Sequence, residues 1–201
     1  MSFKPILNRV AERSAPGRSP SYGETQVLRA LELVSGEGIG RATLGLKLGI
    51  GEGVVRTLIK HLLAEGLVEV SMRGVKTSKN GGRLLSDIHA VILRGIGAPA
   101  TEDVVGGCGY IVLVRGVASH VRVGLEQRDA ALLAGAKGAT TITFVGGRAS
   151  IPGIDRGPSR SLLSFLEEKV RPEDGDVVIV GTGDTSSDAQ VGAYAAALSL
   201  I

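Results

Sequence analysis

The chain has 201 residues, 43% hydrophobic, 21% charged and 3% aromatic, with a formal net charge of +3. That apolar share builds a core and excludes a disordered chain, while no apolar run reaches the ~18–20 residues of a membrane-spanning helix. One cysteine, Cys108, rules out an intrachain disulfide framework and a cysteine-cluster zinc site, and Met1-Ser2-Phe3-Lys4-Pro5 lacks the apolar stretch of a secretory signal, so a cytoplasmic protein is expected.

Residues 1–19 read as an N-terminal arm. Ser21–Val34 then reads as a helix: Ser21 and Glu24 have capping-box spacing, and Val27, Leu28, Leu31 and Val34 recur on one face. A second short helix has Ala42, Leu44 and Leu48 available for the core. Gly49-Ile50-Gly51 is a tight turn. The third helix, about Glu52–Ala64, turns Val55, Leu58, Ile59 and Leu62 inward and presents Glu52, Gly53, Arg56, Thr57 and Lys60 on its other face. Leu67–Val70 alternates as a strand, Arg73-Gly74 turns, and Val75–Thr77 returns. Gly82–Leu93 is helical and apolar on more than one side. Such a surplus predicts a contact with the second domain or with the same helix of a second copy, hence a homodimer.

Helix, short helix, tight turn, helix and hairpin is the order of a winged helix-turn-helix, and Leu62–Val68 resembles that superfamily's helix-to-wing junction. In this plan the third helix enters the major groove of double-stranded DNA. Arg56, Thr57 and Lys60 would then face base edges or phosphates, and Lys47, Arg73, Lys76, Lys79 and Arg83 would neutralise the flanking backbone. Charge agrees: the balance of Lys and Arg over Asp and Glu is 14 − 8 = +6 through Arg94 and 9 − 12 = −3 beyond it. Winged helices also serve as protein-binding modules, and exposed cations also decorate ordinary solvated faces, so both readings stand at this level. His61 lies beside the apolar stripe as a packing residue. His89 and His120 have no partners at ligand spacing, so no metal and no cofactor is expected.

Gly95–Ala100 reads as a linker, giving a winged helix-turn-helix with linking helix over 20–94 and a second domain over 101–201. In the latter, strands are expected at Tyr110–Val114, His120–Gly124, Thr140–Val145, Ala149–Ile151 and Val177–Val180. Helices are expected at Glu126–Ala136, Ser159–Val170 and Ser187–Leu200. This is a small α/β layer domain with a mixed sheet, and the whole chain is of α+β class.

Its most chemical-looking segment is Gly181-Thr182-Gly183-Asp184, leaving a strand and entering a helix. Free N–H groups there form an anion site, unless Asp184, Ser186 or Ser187 merely caps the helix. No Lys follows the glycines, so it is not a P-loop. Arg128 is within reach of an anionic ligand or of Glu126 and Asp129. Ile151–Arg156 is a loop suited to rimming a pocket. Cys108 lacks an activating base and reads as a structural thiol.

Three stretches, Gln127–Thr141 (QRDAALLAGAKGATT), Ile151–Arg156 (IPGIDR) and Pro172–Asp184 (PEDGDVVIVGTGD), resemble the archaeal DUF4443 family. The resemblance implies a transcriptional regulator with an N-terminal winged helix and carries over no ligand or catalytic residue. Scarce Asn and Gln, with plentiful Arg, suit a hot environment. The expected function is therefore a DNA-binding regulator whose second domain dimerises and senses a small anionic metabolite. The alternative is an enzyme acting on a phosphorylated or nucleotide-like substrate at Gly181–Asp184. Against it, no nucleophile–base pair and no carboxylate pair stands at persuasive spacing.

Overall fold

The computed structural model describes residues 3–12 and 22–201. The chain divides into two compact units, Met1–Ile88 and His89–Ile201. In the first, helices α1 (Lys4–Ala11), α2 (Glu24–Leu33), α3 (Arg41–Leu48) and α4 (Glu52–Ala64) precede a hairpin of β1 (Val68–Ser71) and β2 (Gly74–Thr77), and α5 (Lys79–Val91) follows. Periodicity placed the inner faces correctly: Val27, Leu28 and Leu31 of α2 and Val55, Leu58, Ile59 and Leu62 of α4 are buried. Ala42 is a correction, since it lies exposed on α3 beside buried Leu44, Gly45 and Leu48. The cap proposed at Ser21 lies outside the described residues, and α2 starts from Gly23.

The arm expected over 1–19 contains α1. Phe3, Leu7 and Val10 are all buried, their spacing of four and three residues defines one helical face, and Pro5 sits in the first turn where its missing N–H costs nothing. Tyr22 ties this helix down. Its hydroxyl lies 2.6 Å from His61 Nδ1 on α4 and 3.3 Å from the Val10 carbonyl. His61 is thus a packing residue, as its place beside the apolar stripe suggested. The helix α5 carries one buried stripe, Gly81, Leu84, Leu85 and Ile88. The surplus read from the sequence came from Ile92 and Leu93, which leave the helix: Ile92 bridges Val114, and Leu93 N–H donates to the Leu113 carbonyl at 2.8 Å.

The second unit is a five-stranded sheet with helices on both faces. Its strands are β3 (Ile96–Gly97), β4 (Cys108–Val114), β5 (Gly138–Val145), β6 (Arg148–Ser150) and β7 (Val177–Gly183), in the order β3-β4-β7-β5-β6. The expected mixed sheet is antiparallel at every pairing. A β-α-β crossover through α6 (Leu125–Leu133) makes β4 and β5 run the same way, but β7 fills the slot between them and opposes both. Two local expectations also change. Ala118–His120 is a 3-10 turn where a strand was expected to begin, and Ile96–Gly97, read as linker, is an edge strand on β4. One face of the sheet packs Ile142, Val178 and Val180 against Leu162 of α7 (Arg160–Phe165) and Leu166 of the π-helical turn that continues it. The other face carries α6 and α8 (Ser186–Leu198).

Burial lifts the Tyr22 hydroxyl from its ordinary 10.0 to about 12. The fold holds the neutral phenol, so its contribution is whole below the unfolded value near 10 and is lost as pH climbs towards 12. Urea denaturation should show Tyr22→Phe about 1 kcal/mol less stable at neutral pH. The wild type's extra loss above about pH 10 should be smaller in that variant.

Candidate nucleic-acid interface

The turn between α3 and α4 is positioned by backbone contacts. Gly49 ends α3 in the left-handed region at φ 69°, and the Ile50 N–H returns to the Gly45 carbonyl at 3.1 Å. Gly45 itself faces α4: a Cβ there would come to 3.0 Å from Val55 Cγ2, so the two helices cross closely here. Beneath it Arg29 of α2, 4% exposed, donates from Nη2 to the Lys47 carbonyl at 3.1 Å. A guanidinium at the C-terminal end of α3 meets the negative end of that helix.

The wing is clamped to the segment before α3. Ile39 and Val75 exchange two backbone hydrogen bonds, each 2.9 Å. This approach needs Gly74, whose φ is 112° and whose Cβ would fall 2.3 Å from the Ile39 carbonyl oxygen. The Ser71 hydroxyl accepts from Arg73 N–H and donates to the Gly74 carbonyl, shaping the two-residue tip Met72-Arg73. At the wing's base, Ser78 accepts from Gly81 N–H and donates to the Gly66 carbonyl, which starts α5 against the hairpin.

Between α4 and the wing lies a groove of ≈ 790 Å³ with four cations on its rim: Arg41, Arg56, Lys60 and Arg73. Its floor includes Ile59, Leu63 and Val70, and Met72 stands fully exposed at the tip. Arg56, Lys60 and Arg73 were expected from the sequence; Arg41 and Met72 were not. Arg41 had a signal, because a cation in a helix's first turn opposes the macrodipole and so wants another reason to be there. Thr57 is exposed on the same helix, with its hydroxyl donating to the Gly53 carbonyl at 3.2 Å. Lys76 is on β2 opposite Glu69, to which it pairs at 2.9 Å. Lys47 at the end of α3, and Lys79 and Arg83 on α5, are exposed but do not line the groove. Two rim arginines carry carboxylate partners, Arg56–Glu52 at 3.4 Å and Arg73–Glu37 at 2.7 Å. Exposed pairs of this kind are worth about 0–1 kcal/mol and open readily to a phosphate.

The second predicted site is corrected. Gly181, Thr182 and Gly183 do not form an open turn; they complete β7, paired to β4 and β5, and all three are buried. The glycines are there for α8. A Cβ on Gly181 would lie 2.3 Å from the Ala189 carbonyl oxygen, and one on Gly183 would lie 2.7 Å from the Ala189 nitrogen. Thr185 and Asp188, rather than Asp184, Ser186 or Ser187, cap the helix in a reciprocal capping box. Asp184 pairs with Lys137 at 3.2 Å. Arg128 and Thr182 do line a separate cleft in this unit, whereas Gly181, Gly183 and Asp184 do not. Among the described residues, no three His, Cys, Asp or Glu side chains are placed to share a metal ion, and no helix is long and apolar enough to cross a membrane.

Comparison with known proteins divides the chain at nearly the same place. Residues 105–200 match the family model of the domain of unknown function DUF4443, and residues 24–92 match the CggR N-terminal DNA binding domain. No curated protein matches the chain. A solved structure, hypothetical protein PH0730 from Pyrococcus horikoshii OT3, superposes with a TM-score of 0.71 at 24% identity, covering 88% of this chain and 91% of that one; the two share the fold.

The wing clamp is testable. Gly74→Ala should cost about 1–3 kcal/mol in chemical denaturation, since it combines an unfavourable φ with a backbone collision. Amide exchange at Val75 should lose its protection.

Proposed function

We propose that this chain, a DUF4443-family protein with an N-terminal DNA-binding domain, is a transcriptional regulator that reads duplex DNA with α4 and braces the backbone with its wing. The observation that carries this is the groove rimmed by Arg41, Arg56, Lys60 and Arg73. An exposed helix face with three of its four polar positions able to reach bases or phosphates fits the major groove, and wing cations suit the flanking phosphates. Lys47, Lys79 and Arg83 extend the positive surface beyond the groove. The match of residues 24–92 to a DNA-binding domain supports the same reading.

In this proposal the second unit dimerises, presenting two heads to two half-sites, and senses a small anionic metabolite. Leu132 and Leu133, exposed on α6, support a self-contact. Sensing requires that the metabolite bind the DNA-competent and incompetent arrangements with different affinity. We read the chain as a regulator at work in the cytoplasm and not as an enzyme. The enzymatic alternative at Gly181–Asp184 is disfavoured because the N–H groups it needs belong to a buried strand beneath α8.

In electrophoretic shift titrations across salt concentration, the double variant Arg56→Ala, Lys60→Ala should weaken duplex binding at least about tenfold. It should also lower the slope of log K against log salt by about 2, two phosphate contacts being removed. Binding unchanged by the double variant would remove α4 from the interface.

A further inference from the structure

The cleft that Arg128 lines has a volume of ≈ 610 Å³, the size of a small-molecule site. It lies where β5 has an open edge. Strand β6 covers only Thr143–Val145 of β5, so, among the described residues, 138–142 have no strand partner on that side. The nine-residue helix α6 begins there, its N-cap Gly124 in the left-handed region with no side chain capping the first turn. Arg128, one turn in, and Lys137, just before β5, add two cations. Lys137 pairs with Asp184 across an exposed 3.2 Å contact, which a dianion can replace. Val105, Val123, Leu125, Ile151, Pro152 and Ile154 give the cleft a broad apolar wall.

One buried side chain at this cleft has an unused hydrogen-bonding group. Thr141 lines the cleft, is 3% exposed, and its Oγ1 is closed to water without a hydrogen-bond partner. A Cβ built on Gly124 would lie 3.5 Å from that oxygen, so the hydroxyl sits directly beneath the N-terminus of α6. A buried hydroxyl with no partner costs stability, and valine would fill the same space without the cost. Uncapped helical N–H groups and two cations border this hollow, and the Thr141 hydroxyl lies just behind its wall, a set of groups that suits an anion.

We propose that this cleft binds a phosphate monoester with an organic body: the phosphate at the N-terminus of α6 with Arg128 and Lys137, the body against Val123, Leu125 and the Ile151–Ile154 loop. Two cations and a helix terminus suit a dianion better than a carboxylate, and the apolar wall is too extensive for inorganic phosphate alone. The proposal places the sensing role suggested above and rests on that reading only for its link to DNA.

The experiment is calorimetry on the full chain with adenosine 5′-monophosphate, ribose 5-phosphate and glycerol 3-phosphate, against adenosine and inorganic phosphate as controls. At least one monoester should bind, and adenosine and inorganic phosphate should bind it at least about tenfold more weakly. Arg128→Ala should weaken the monoester about tenfold or more. Thr141→Val should weaken it several-fold while leaving the melting temperature of the free protein unchanged or higher, which a purely structural threonine would not do. No monoester binding at millimolar concentration, or affinity unmoved in both variants, overturns the site. Shift assays with and without the bound monoester separate the two claims: binding without any change in DNA affinity keeps the cleft and removes its role as sensor.

Discussion

The interface hangs on two backbone hydrogen bonds between Ile39 and Val75. They hold the hairpin beside α4, and without that proximity Arg73 and Met72 would not share a groove with Arg56 and Lys60. The bonds in turn require a residue with no side chain at position 74. The second unit obeys the same rule: α8 lies so close to β7 that only glycine fits at 181 and 183. A chain with 30 glycines and 3% aromatics brings backbones together where other proteins interpose large side chains.

This explains which parts were legible in the sequence. The buried faces of α2 and α4 were readable because apolar residues recur with the helical period, which is a local property. The tight turn at Gly49 was readable because glycine takes a positive φ readily, which is also a local property. The strand order was not, because whether β7 inserts between β4 and β5 depends on contacts far apart in the chain. The helix α1 was hidden by its surroundings: Pro5 and the prolines that follow suggest an arm, although Phe3, Leu7 and Val10 mark a face.

The misreading at Gly181–Asp184 is instructive. A glycine that lets a phosphate approach the backbone and one that lets a helix approach it leave the same letters in the sequence. Only the position of α8 separates them. Arg128 and the first part of the Ile151–Arg156 loop lie on one cleft, where their neighbours are Thr141 and the start of α6. Neither threonine nor an uncapped first turn stands out in a linear reading, because both are ordinary until the hydroxyl is found with no partner.

The carboxylates beside the rim arginines have an effect of their own. Glu37 and Glu52 serve Arg73 and Arg56, two arginines of the groove's rim, as built-in counterions. A polyanion that reaches one of these arginines alone trades a carboxylate for a phosphate and gains little. A duplex wide enough to engage both displaces both acids and collects the contacts to Arg41 and Lys60 as well. If the groove takes duplex DNA as proposed, the acids would act as a filter on shape, penalising narrow or poorly aligned strands.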